Sequence, residues 1–269
     1  MRRITPAPTC RSVPHFHGAR RRLSFLCIGL VTLSIAVGAV SDLRAGSNVF
    51  IESGIAASDR EWTGPDYAQA AEILATGKVP LPQESDEIGR ALVRRMTSLD
   101  NLKLFRDSTL PIESRFANYI PLINGANSIF KLYLASLNAG KSVHREVAEY
   151  MSFLLYVAAV DVDLMEEYIP KIAKDDRYAA RMEGVKKMHS GLTTIFVGAE
   201  ISLSERAIYS DEDLSILLRA MASTLPTMKA WFSDDYRHEL RHKLQSDRSK
   251  FTRQEDIQNI DKMLEALAS

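Results

Sequence analysis

Residues Tyr150–Val160 form an eleven-residue stretch with Ser152 as its only polar residue. A membrane-spanning helix needs about 20 apolar residues, so this stretch is too short to cross a bilayer. Its length and all-round apolar character predict the central, fully buried helix of a bundle. Every other element must then be able to pack around such a helix.

The flanking sequence supplies helices and almost no strand. Alternating β-branched runs with hairpin turns are absent, while helix start and stop signals recur. Pro65 opens a short helix that Gly77 closes. Ser85 is the expected cap of a helix to about Ser98, followed by a further turn or two to Asp107. Pro111 opens a helix that Pro121 should kink and Gly140 ends. Ser142 should cap the central helix, about Val143–Tyr168. A long helix follows over about Arg177–Leu203. Ser210-x-x-Asp213 reads as a capping box, Pro226 should interrupt the helix it starts, and Ser233 should restart it. Thr252-x-x-Glu255 reads as a second box for a final helix to about Leu267. The expected fold is all-α: an irregular bundle of about eight helices over residues 65–269, joined to the N-terminus by a flexible tether at 42–64.

The N-terminus carries an address. Residues 1–22 hold six arginines and no acid, and Leu23–Val40 is eighteen residues without a charge. Arginine resists translocation, so residues 1–22 are expected in the cytoplasm and the chain after residue 41 outside it. The apolar run lies between signal-peptide and spanning length. Val37 and Ala39 suit cleavage after Ala39, and Ala39 with Ser41 suits cleavage after Ser41. Retention of 23–41 as a single-pass anchor is the alternative, and the membrane contact would then be this segment alone. Cys27 sits too early in the run for a lipoprotein signal.

Beyond residue 41 the chain has 28 basic and 34 acidic residues, although the whole is neutral. That balance argues against a nucleic-acid partner, which needs a basic stripe. Both cysteines, Cys10 and Cys27, precede this part, so it has no disulfide, thiolate nucleophile or cysteine metal ligand. No Gly-x-Ser-x-Gly elbow, phosphate loop or dinucleotide fingerprint occurs, and no cofactor is expected.

Three constellations stand out. Gly184, Gly191 and Gly198 recur every seven residues in one expected helix, each costing about 1 kcal/mol relative to alanine. Close packing would explain them. The preceding helix offers Ala148, Ser152 and Ala159, and an antiparallel pairing would set Ala148 against Gly198, Leu154 against Gly191, Arg145 against Glu200, and Asp161 near Gly184 and Lys187. Leucine at Gly191 should then overpack the seam. Secondly, Asp161, Asp163, Glu166 and Glu167 cluster late in a helix, where the dipole disfavours acids. Oxygen ligands suit calcium or magnesium, but the cluster lacks a glycine turn, so a solvated helix end paired with Arg181, Lys186 or Lys187 is the expectation.

Finally, His238-Glu239-Leu240-Arg241-His242 matches H-E-x-x-H, in which two histidines hold zinc and the glutamate, here Glu239, acts as base. Tyr236, Leu240 and Leu244 make the apolar stripe, and His238 and His242 fall about 200° from Leu240 at 100° per residue. They should face water, so no metal site is expected there. The chain therefore reads as a non-catalytic, exported helical protein of the cell envelope, periplasmic or secreted, binding an envelope protein or a small apolar ligand. Two alternatives stand: a zinc-dependent hydrolase built on residues 238–242, and a carrier whose bundle cavity is lined by Tyr150, Phe153 and Phe196.

Overall fold

In a computed structural model, the described residues are Phe50, Gly54, Ile55 and 60–268. The leader at 1–41 lies outside them. Eight helices carry the fold: α1 (Gly64–Ala75), α2 (Glu87–Met96), α3 (Ile112–Asn138), α4 (His144–Tyr168), α5 (Tyr178–Ser204), α6 (Asp211–Met228), α7 (Asp234–Asp247) and α8 (Gln254–Ala266). A 3₁₀ turn (Leu99–Leu102) and a single α turn (Lys103–Arg106) link α2 to α3. No strand occurs among the described residues, and no described helix is long and apolar enough to cross a membrane.

α4 is the axis. Tyr150, Phe153, Leu155, Val157, Ala158 and Val160 point in different directions around it, and all are buried. It packs on α6, α3 and α5, while α1 lies against α3 and α8 against α6. Four tyrosines sit fully inside, which requires a partner for each hydroxyl. Tyr67 donates to the Met96 carbonyl, Tyr133 to the Pro82 carbonyl at 2.7 Å, Tyr119 to the Val157 carbonyl at 3.1 Å, and Tyr150 to Met96 Sδ at 2.9 Å.

The Ser210 box forms: Ser210 Oγ accepts from the Asp213 amide, and the Asp213 carboxylate accepts from the Ser210 amide, both at 3.2 Å. Ser233 Oγ accepts from the Tyr236 amide. Other helix ends differ from expectation. Asp86, not Ser85, caps α2, accepting from the Gly89 amide at 2.8 Å. α4 starts behind Val143 and α8 behind Arg253, with no side-chain cap, so neither Ser142 nor Thr252 acts as one. Glu255 instead binds Arg219 across to α6 at 2.7 Å. Pro226 does not interrupt α6, which runs through to Met228. So close to the C-terminus its ring removes one helical bond and no more.

The stretch read as a tether contributes to the core. Phe50, Ile55 and Trp62 are buried in it, and the Trp62 amide donates to Asn101 Oδ1 at 2.8 Å. Their aromatic and branched side chains outweigh the polar residues between them, which the composition of the segment obscures.

The glycine seam on α5 does not form at Gly184 or Gly191. Val185, Leu192, Phe196, Ala199 and Leu203 form its buried face. Gly184 and Gly191 lie one residue before that face, about 100° off it, and are exposed. A Cβ at either would meet nothing within 4 Å. Gly198 is buried, but its nearest neighbour is the flexible end of Met151, at 3.1 Å, rather than Ala148. Ala148 and Ala159 are buried and Ser152 half-buried, in a helix covered on every side. Gly191→Leu should therefore not overpack. Gly191→Ala is expected to stabilise the protein by about 0.5–1 kcal/mol through helix propensity, read as a higher urea midpoint.

Candidate functional site

α7 places its motif as helical geometry requires. Leu240 and Leu244 are buried, Tyr236 is half-buried, and His238, Glu239 and His242 are exposed on the other side. Among the described residues no group of three or more His, Cys, Asp or Glu side chains is disposed to hold a metal ion. The two histidines thus stand on an open helix face, whereas a catalytic zinc takes three protein ligands in a cleft.

The buried side of the same helix builds a different group. Lys243 Nζ lies 2.6 Å from Glu200 Oε1, and the Tyr236 hydroxyl donates to Glu200 Oε2 at 3.0 Å. Both residues of α7 thereby close on one carboxylate of α5, which is 8% exposed. Burial first, then the Glu200 charge, push the Tyr236 phenol well up, so it remains a hydrogen-bond donor. Beside them lies a hollow of about 10 Å³, walled by Leu203, Leu218, Leu240, Leu244, Phe251 and Ile260. Its volume is at the lower limit for one water molecule. This carboxylate–ammonium–phenol group fastens α7 to α5, with one donor on each Glu200 oxygen. Glu200 does not meet Arg145, as the antiparallel register implied. Arg145 pairs with Glu149 at 2.9 Å and reaches Asp213 at 3.4 Å. Tyr236 was legible only as part of the apolar stripe; its hydroxyl partner depends on how two distant helices pack.

The acidic residues late in α4 do not converge. Asp163 and Glu166 are exposed. Glu167 binds Lys171 at 2.8 Å and the buried Arg115, while Arg181, an expected partner, pairs with Asp175. Asp161 is buried, whereas Gly184 is exposed. Asp161 is 1% exposed, its Oδ1 has no hydrogen-bond partner, and the side chain that hydrogen-bonds the group is Tyr119 on α3.

The aromatics named for a ligand cavity are packed against other rings. Tyr150 meets Tyr133 at 5.1 Å, Phe153 stacks on Tyr67 at 5.8 Å, and Phe196 meets Phe232 edge-on at 5.2 Å. All three lie in the buried core.

No protein family, curated protein or solved structure matches this chain.

Proposed function

We propose that the chain is an exported helical protein of the cell envelope whose work is binding, carried by its outer surface, with a protein as partner. The observation that carries this reading is the packed interior. Tyr150, Phe153 and Phe196 turn their ring faces to neighbouring side chains, which favours an external partner over an apolar ligand held inside. The address rests on the arginines of residues 1–22 and the uncharged run behind them. The excess of acids after residue 41 supports a protein partner over a nucleic acid.

Two measurements test the reading. Alkaline phosphatase fused after Ser47 should be active in a bacterial host, and a fusion retained in the cytoplasm would refute the export half. Crosslinking of the full chain in cells, followed by mass spectrometry, should recover one envelope protein reproducibly. The exposed histidines should be irrelevant to it, so His238→Ala and His242→Ala are expected to leave the melting temperature and the crosslinked partner unchanged. A hydrolytic activity lost in Glu239→Gln would replace binding with catalysis.

A further inference from the structure

We propose that Asp161 is the proton-binding element of a pH-sensitive latch between α3 and α4, held as the neutral acid in the tight form and loosening the seam when it ionises.

The placement of donors carries the argument. A carboxylate has two oxygens that accept and none that donates, and buried it needs several donors or a cation. Asp161 Oδ1 has no partner at all. Among the described residues, the one side chain that hydrogen-bonds the group is Tyr119, itself fully buried, whose hydroxyl also donates to the Val157 carbonyl at 3.1 Å. Tyr119 has one proton for two acceptors, the Val157 carbonyl and the Asp161 carboxyl, and while it serves Val157 its oxygen is open to accept. A protonated Asp161 donates to Tyr119, Tyr119 donates to Val157, and the chain of bonds is complete. An ionised Asp161 must draw the Tyr119 proton away from Val157, and its other oxygen still carries charge with no donor.

The basic side chains on the elements around this part of α4 are exposed, as Lys186 and Lys187 of α5 are, or have other partners. Arg115 on α3 binds Glu167 and the Phe105 carbonyl. Lys103, in the turn before α3, pairs with Asp100 and Glu61. Arg106, in the same turn, acts on Asp163. His189 of α5 meets the Trp231 carbonyl, and Lys229, after α6, donates to the Ala266 carbonyl at 2.9 Å. On α4 itself Asp163 and Glu166 carry the same sign as an ionised Asp161.

Burial accordingly pushes the Asp161 carboxyl up to about 7, and the Tyr119 hydrogen bond offsets this only in part. The unfolded chain releases this proton near the ordinary aspartate value, about 4. Between the two the folded state holds one proton more than the unfolded state, so stability from this group is complete in acid and falls as pH rises from about 4 through about 7.

The test compares unfolding of wild type and Asp161→Asn in urea from pH 4 to pH 8. The ratio of their folding constants should move in favour of the variant by on the order of 10²–10³-fold across that range. Parallel stability curves would overturn the proposal. A second readout needs no stable variant at position 161: infrared absorption of wild type at pH 6 should contain a protonated carboxyl band that disappears by pH 9. Tyr119→Phe should shift that band by removing the acceptor. Absence of the band at pH 6, or a band indifferent to Tyr119→Phe, would also refute the latch. Amide exchange in α3 and α4 should quicken above neutral pH in wild type more than in Asp161→Asn, and equal acceleration in both would show that ionisation does not loosen the seam.

Discussion

Gly125→Leu is expected to destabilise the protein by about 3 kcal/mol or more, at the upper end of what overpacking a core costs. Gly125 lies in the middle of α3, where α1 crosses it. A Cβ built there would stand 2.5 Å from the Tyr67 carbonyl carbon, 2.6 Å from its oxygen and 2.7 Å from its Cβ. Two of those three atoms are backbone, so no rotamer change clears them, and α1 would have to lift. A reciprocal contact lies three residues earlier in α1, where a Cβ at Gly64 would be 2.2 Å from the Asn118 carbonyl oxygen. Helix propensity works the other way, since alanine in a helix is favoured over glycine by about 1 kcal/mol. Gly125→Ala therefore sets clash directly against propensity. It should lower the urea midpoint where Gly191→Ala raises it. A midpoint for Gly125→Ala at or above wild type would mean that α1 does not ride this closely on α3.

That contrast locates what a single chain of letters conveys. A helix shows its own periodicity, so the central burial of α4, the Ser210 box and the exposed side of α7 were all readable before any packing was known. Each depends on residues within a turn or two of one another. Glycines with backbone inside 3 Å of a built Cβ join α1 to α3, and none of those on α5 is of this kind. Seven-residue spacing marks a stripe on α5, yet Gly184 and Gly191 are exposed. A lone Gly125 carries no periodic signal at all, and its meaning comes from Tyr67, 58 residues away, arriving across the helix pair. Glu200 with Lys243, and Asp161 with Tyr119, are of the same kind. Their chemistry is set by partners on another helix, and Asp161 is defined chiefly by the donors that fail to reach it.

Tyr67→Ala is expected to cost about 3–5 kcal/mol, the range for emptying an aromatic site in a packed core. Three kinds of contact end together. The ring stacks on Phe153 of the central helix at 5.8 Å and makes a T-shaped contact with Trp62 at 5.3 Å. Its hydroxyl donates to the Met96 carbonyl at the end of α2 and accepts from Asn101 Nδ2 at 2.8 Å. Asn101 in turn holds the Trp62 amide and donates to the Arg95 carbonyl, both at 2.8 Å. Tyr67 is thus where α1, the end of α2, the turn at 99–102 and α4 meet. Tyr67→Phe separates the parts. It keeps the ring contacts and leaves Asn101 one of its two acceptors, so the loss should be about 1–2 kcal/mol, in the range of a buried hydrogen bond left unmade. The difference between the two variants then measures the ring. In Tyr67→Ala, fluorescence of Trp62 should shift toward the emission of a wetter indole at urea concentrations below the main transition, because the segment around residue 62 loses both its ring contact and its anchored Asn101. A Tyr67→Ala protein that unfolds in one step, with Trp62 fluorescence and circular dichroism coincident, would show instead that this corner opens only with the whole bundle.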